Sequence, residues 1–222
     1  MLDKPSLFAI QLALFIDNGS VHADELSYLV RSKMNIGRFE PMLIPEQGIM
    51  PAEIPRLNIN SDDGYRLSLS KVRLDFVLEI PFGINDNTLD VFFGNCKTLC
   101  EILEERNVVL SRIGLVKNWF IPEDRPAVGL AEKLLNVPAA EISDVSVSVT
   151  KKKNFDGMVC NSLYAFMNGV HQSGGSGWVV SRDVNNVPSA DIRIKSGNVP
   201  AMVQRFNQEA SDKSVADFVE GR

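Results

Sequence analysis

Residues 54–80, IPRLNINSDDGYRLSLSKVRLDFVLEI, constrain the fold of this chain more than any other stretch. Val72, Leu74, Phe76, Leu78 and Ile80 alternate with Arg73, Asp75, Val77 and Glu79. Successive side chains of a strand point to opposite faces, so one face is apolar and the other mostly charged. Tyr65, Leu67 and Leu69 alternate in the same way with Arg66, Ser68 and Ser70, and Ser61-Asp62-Asp63-Gly64 suits a tight turn before them. The spacing predicts three consecutive antiparallel strands. A slip of one residue would turn the whole apolar set to water, which fixes the register. Burying one large apolar side chain is worth roughly 1.5–3 kcal/mol. The apolar row of the last strand therefore requires a cover, and a helix is the natural one.

The flanking sequence supplies such covers. Residues 6–16 read as a strand apolar on both faces, hence a central one, ended by Asp17-Asn18-Gly19-Ser20. A helix is predicted from about His22 to Met34. Residues 35–53 read as irregular, with Pro41, Pro45, Pro51, Gly37 and Gly48, apart from a weak strand near Met42 to Ile44. After the three strands, Leu89, Phe92, Phe93, Cys96, Leu99, Cys100 and Leu103 trace one stripe of a helix from about Thr88 to Arg106, ended by Asn107. Val108 to Phe120 reads as a long strand. A short helix from about Ala127 to Leu135 follows, closed by Asn136 and Pro138. Val145, Val147 and Val149 alternate with Ser146, Ser148 and Thr150 as a strand, and Lys151 to Gly157 reads as a turn. Strands are expected at Met158 to Asn168, at Trp178 to Val184 and around Ile192 and Ile194. Helices from Val199 to Ala210 and from Ser214 to Val219 end the sequence.

This order predicts an α+β fold, a mostly antiparallel sheet with helices on one face. A strand, helix, three or four strands, helix unit occurs in residues 1–106 and again in 107–222. We expect a pseudo-two-fold duplication forming one compact unit, although no letter-by-letter repeat is visible. The arrangement resembles the TATA-binding-protein-like and helix-grip folds, a likeness of fold that does not fix function. Pro55-Arg56, Asp63-Gly64-Tyr65-Arg66-Leu67, Arg112-Ile113-Gly114-Leu115 and Arg182-Asp183-Val184-Asn185 together resemble a sporadically distributed bacterial protein family of unknown function. That resemblance covers most of the chain. The sequence departs from it where an aromatic-basic run would follow the second strand and Leu74-Asp75-Phe76 stands instead.

Composition excludes few functions. A net charge of −5 argues against a surface dominated by phosphate contacts. The cysteines are odd in number, Cys96, Cys100 and Cys160, which fits a reducing cytoplasm better than a disulfide framework. The apolar run Leu7 to Ile16 is too short to span a bilayer, and no small-residue cleavage site follows it.

No set of residues specifies a reaction. Cys96 and Cys100 fall on the apolar helix stripe, where free cysteine acts as a small hydrophobe, and His22 and His171 are far from them in sequence. Gly174-Gly175-Ser176-Gly177 is neither a nucleophile elbow, since Trp178 takes the last place, nor a phosphate loop. The reading is a flexible hairpin connection. The open sheet face is expected to carry Arg56, Asn58, Arg66, Arg73, Asp75 and Glu79, with Ser146, Ser148 and Thr150 from the second half. Trp119 is a candidate anchor at an interface or a core residue. Lys151-Lys152-Lys153 is a solvated basic run.

The expected function is that of a non-enzymatic cytoplasmic binding or regulatory protein that associates with itself, as a homodimer, or with another protein. No cofactor or metal is expected, and neither is nucleic-acid or membrane binding. The alternative is a small-molecule enzyme or ligand carrier with a pocket between sheet and helices, for which Arg112, Asp183 and His171 are the first residues to examine.

Overall fold

The computed structural model of the protein describes residues 5–45, 50–80, 87–135, 142–171, 174–189 and 192–220. One antiparallel sheet runs through it, with the strand order β2-β3-β4-β5-β1-β6-β9-β8-β7. The strands are β1 (Ser6–Asn18), β2 (Phe39–Leu43), β3 (Leu57–Ser61), β4 (Tyr65–Leu69), β5 (Arg73–Glu79), β6 (Val109–Pro122), β7 (Ser146–Phe155), β8 (Met158–Val170) and β9 (Ser176–Asn186). A short β10 (Ile194–Lys195) adds to the start of β6. Helices α1 (Ala23–Lys33), α2 (Thr88–Glu105), α3 (Pro126–Leu130), α4 (Val199–Glu209) and α5 (Asp212–Glu220) complete the chain. α3 continues as a wider helical turn, Ala131–Leu135.

The halves are wired alike in part, with five strands in the first and four in the second, β10 lying off that path. Counted outward from the centre, the first half runs β1, β5, β4, β3, β2 and the second runs β6, β9, β8, β7. In each, the first strand lies at the centre and pairs with the last strand of the meander. β1 and β6 pair with each other from Ser6↔Phe120 to Asn18↔Val109, so the sheet is continuous across the join.

The alternation seen in the sequence decides which face the helices cover. Leu74, Phe76 and Leu78 are buried together with Ile10, Leu12, Leu14, Ile113 and Leu115 beneath the helical layer. The α2 stripe of Phe92, Cys96, Leu99, Cys100 and Leu103 packs into this core. Tyr65, Phe76 and Phe92 stack in a column with centroids 5.4 Å apart at each step. Asn95 is buried on the same helix and clamps the chain after α1: Asn35 N donates to its Oδ1 at 2.8 Å and its Nδ2 donates to Asn35 O at 2.7 Å. Asn107, with φ of 52°, ends α2 in the left-handed region, and Val108 N donates back to Leu103 O at 3.0 Å.

Elsewhere the sequence reading needs correcting. The expected turn at Lys151 to Gly157 is strand up to Phe155, and only Asp156 and Gly157 turn, with φ of 50° and 86°. A two-residue hairpin loop needs positive φ at both central positions, and Asp-Gly supplies it. The stretch 35–53 contains a strand, Phe39–Leu43, earlier than the expected Met42 to Ile44. The last strand shrinks to Ile194–Lys195. Asn136 and Pro138 lie outside the described residues.

Both margins of the sheet are guarded. β2 carries Pro41, which has no N–H to offer a neighbouring strand, and β7 carries Lys151, Lys152 and Lys153.

The one-sided core makes a prediction. Phe76→Ala is expected to cost about 3–5 kcal/mol in urea denaturation, while Val77→Ala, one residue on and on the other face, costs under about 1 kcal/mol. Equal losses would contradict the layering.

Candidate functional site

The face away from the helices has no cover from the described residues. Its rows follow from the strand register. One row runs Met42, Asn58, Ser68, Asp75, Ala13, Gly114, Asn185, Asn161, Lys152 from margin to margin. The next runs Glu40, Asn60, Arg66, Val77, Gln11, Val116, Asp183, Leu163, Thr150. The face is therefore less charged than the sequence suggests. Small and apolar side chains, Ala9, Ala13, Gly114, Val77, Val116 and Ala165, are interspersed on it with Gln11, Asp75, Asn118, Ser181 and Asp183. Ser146, Ser148 and Thr150 stand on the exposed rim as expected.

At one end of this face, Phe15 is flanked by arginines. The guanidinium carbon of Arg73 is 4.8 Å from its ring centroid and that of Arg112 is 5.1 Å away. Arg73 pairs with Asp75 at 2.8 Å, and Gln11 Nε2 donates to Asp75 at 2.7 Å. Arg112 has no ion-pair partner among the described residues, and its buried Nε–H meets no acceptor there. Asp183 accepts from Asn185 Nδ2 at 2.8 Å, Asn161 Nδ2 donates to Asn185 Oδ1 at 3.1 Å, and Lys152 donates to Asn161 at 2.6 Å.

At the other end lies a cleft of about 560 Å³. Phe8, Ile80, Phe120, Val170 and Val179 give it apolar walls, while Asp63, Glu79 and His171 are among its polar lining. Phe120 and His171 approach with ring centroids 4.9 Å apart. Phe120 reaches across β9 because position 177 is glycine: a Cβ there would collide with its ring and with the Ile121 carbonyl. Glu79 pairs with Arg66, both about half exposed. Asp63 accepts from Gly37 N at 2.7 Å and Asp62 from Arg38 N at 2.8 Å, which ties the β3–β4 turn to the start of β2.

The structure thus separates several residues that the sequence offered together. Arg112 and Asp183 share the open face but do not line the cleft, and His171 lines it from a position about 30 Å along β6 from Arg112. The cleft opens on the uncovered side of the sheet, not between sheet and helices. Arg56 is buried and lines a different cleft of about 590 Å³, with Ile16, Val21 and Ile44 at the opposite end of the sheet. Trp119 is no exposed anchor. It is fully buried on the helical side, where its Nε1 donates to Asp212 at 2.9 Å.

That contact belongs to a polar cluster the sequence reading missed. Arg182 is fully buried between the sheet and the α4–α5 elbow. Its Nη1 donates to Ser214 Oγ at 2.5 Å and its Nη2 to Ser162 Oγ at 2.9 Å, with Glu209 at 3.5 Å. The guanidinium lies 3.4 Å from the Tyr164 ring centroid. Lys117 donates to Asn207, and Lys153 pairs with Glu209 at 3.5 Å. Lys151 leans over Tyr164 and Phe218, so the basic run divides between the faces. The signal was available: Lys117 falls between Leu115 and Trp119, and Arg182 between Val180 and Val184, both in rows that alternation assigns to the core.

Among the described residues, no group of His, Cys, Asp or Glu is placed to hold a metal ion, and no helix is long and apolar enough to cross a membrane. Cys96, Cys100 and Cys160 are free and buried. The chain matches no protein-family model and no curated protein.

Burial pushes the Lys117 ammonium down from its ordinary 10.5 to about 8, with Asp212 opposing the shift and Arg182 adding to it. Between those values the unfolded chain binds more protons at this position than the folded one, so Lys117 destabilises the fold below pH 8 and that cost is relieved as pH rises. The urea midpoint of the native chain relative to Lys117→Met is expected to rise as pH goes from about 8 to about 10.5. A difference independent of pH would show that Lys117 keeps its ordinary proton affinity.

Proposed function

We propose that this is a binding protein that works through the uncovered face of its sheet, and that the surface it receives is a protein. One observation carries the reading: a broad face uncovered by the described helices, on which small and apolar side chains such as Ala13, Gly114, Val77 and Val116 are mixed with polar ones such as Gln11, Asp75 and Asp183, the composition of a non-obligate protein–protein interface. A face kept for water alone would continue the alternation of charge through its central strands. The ion pairs Arg66–Glu79 and Arg73–Asp75 balance one another, which leaves little excess positive charge for a phosphate backbone. The free, buried cysteines fit a reducing compartment, and we place the protein's work in the cytoplasm.

A photo-crosslinking residue at Val116 is expected to give a discrete adduct in cells, and the same residue at Lys97, on the solvent side of α2, to give none. No adduct at either Val116 or Ala165 would defeat the proposal.

A small-molecule carrier is the second reading, and the cleft of about 560 Å³ supports it, being of ligand size with apolar walls. It predicts chemical-shift changes at His171, and none at Arg112, on titration with an aromatic amine.

A further inference from the structure

We infer, resting on the small-molecule reading, that the cleft beside Phe120 binds a small organic cation, an amine on an apolar arylalkyl body. The ammonium lies at the β3–β4 turn and the body along Phe8, Phe120 and His171. Among the described lining residues, Asp62, Asp63 and Glu79 are carboxylates, and none is lysine or arginine. The carboxylates share one wall. Gly64, with φ of 91°, sets their turn against the end of β5. Glu79 N donates to Gly64 O at 3.0 Å, and a Cβ on Gly64 would lie 2.6 Å from the Glu79 carbonyl oxygen, so only glycine fits. Backbone N–H groups of Gly37 and Arg38 then hold Asp63 and Asp62 in place, at 2.7 and 2.8 Å.

The floor and the far wall are apolar by construction. Leu7 pairs with Trp119 and Ala9 with Asn118, so Phe8 is an extra residue of β1 at this point of the seam. A bulge re-aims side chains, and the consecutive Phe8 and Ala9 both line the cleft, where a regular strand would send them to opposite faces. Ile80 N donates to Phe8 O at 2.7 Å and ties the bulge to β5. Phe120 reaches across Gly177 to the His171 ring, and His171 N donates to Gly175 O at 2.7 Å, which fixes that wall. An apolar body is desolvated against these rings and Val179 while its charged end meets the carboxylates. Each carboxylate has about four lone-pair sites, and the local donors Ser61, Gly37, Arg38 and Arg66 occupy only part of them. Among the described residues, the cation paired with these carboxylates is Arg66, on Glu79. That pair is about half exposed, so it contributes little and yields to a competing ammonium. An anionic ligand would meet like charge at this wall, and a neutral one would cost the carboxylates solvation without repayment.

The test is a series with one body and different ends: phenylbutylamine, phenylbutanol and phenylbutyrate, each titrated into the full chain at neutral pH and followed by amide chemical shifts. Shifts are expected at Ala9, Val170 and His171. The amine is expected to bind about tenfold more tightly than the alcohol, the gain of one charge-assisted hydrogen bond, and the carboxylate most weakly. Glu79→Gln, at a half-exposed position, and Asp63→Asn are each expected to remove most of the preference for the amine. Both are expected to leave the alcohol bound, which shows that they fold; should Asp63→Asn loosen its turn and bind nothing, Glu79→Gln decides. An amine no tighter than the alcohol, a carboxylate that binds best, or a preference that survives every variant still able to bind the alcohol overturns the cation and leaves the cleft a carrier of some other ligand. Absence of shifts at those residues with the whole series removes the small-molecule reading itself, and the cation with it.

Discussion

Backbone pairing between β1 and β6 is the interaction on which the rest of the molecule depends. Each meander could close its own small sheet, but each would then leave its first strand as a bare edge in the middle of an apolar layer. Joined, they form one continuous ladder, and Leu12 and Leu14 lie in line with Leu115 and Ile113 under the same helices. The register shifts between Leu7 and Ala9 and between Phe15 and Asn18 fall at the two ends of the seam, leaving its middle regular. They coincide with the cleft at one end and the Phe15–arginine group at the other, and bulges of this kind re-aim side chains where a strand leaves the regular ladder.

The halves share part of their wiring but not their chemistry. Beneath α1 and α2 the first half is almost wholly apolar, with an aromatic column at its centre. Beneath α4 and α5 the second half substitutes lysine, arginine and serine in the rows where the first half has leucine and phenylalanine. A buried arginine hydrogen-bonded to serines and stacked on a tyrosine adds little net stability compared with a hydrophobic replacement, but it fixes how the helices are placed. Arg182 reaches Ser214 on α5 and Glu209 on α4, so one side chain sets the angle of the elbow between them. Its Nε–H still lacks an acceptor among the described residues, a cost of about 1–3 kcal/mol.

Much of the architecture was legible in the sequence because it rests on period alone. The alternation from Val72 to Ile80, the stripe of α2 and the ending of that helix at Asn107 need only local geometry to be read. The uncovered face was less legible. Alternation separates two sides of a strand but does not say which strands lie at the centre of the sheet, where small and apolar side chains of β1 and β6 dilute the charges of β5. Trp119 was ambiguous for the same reason, since a tryptophan reads alike on a core row and on an interface until its strand has been placed. The β7–β8 turn was misplaced because three lysines in succession look like a loop, whereas an edge strand favours them. Arg182 and Lys117 broke an apolar row in plain view, yet a charge in such a row has no meaning until its partners, far away in sequence at Glu209, Asp212 and Ser214, are brought to it.

The polar docking of the α4–α5 elbow has a consequence for how the molecule comes apart. Water substitutes readily for the serine and carboxylate partners of Arg182, but not for Phe218 stacked on Tyr164 and Phe166, so the polar contacts of this corner loosen before its rings separate. Because Lys117 and Arg182 interrupt the apolar core beneath them, the amides of the carboxy-terminal helices are expected to exchange with solvent deuterium through smaller openings than those of β1 and α2.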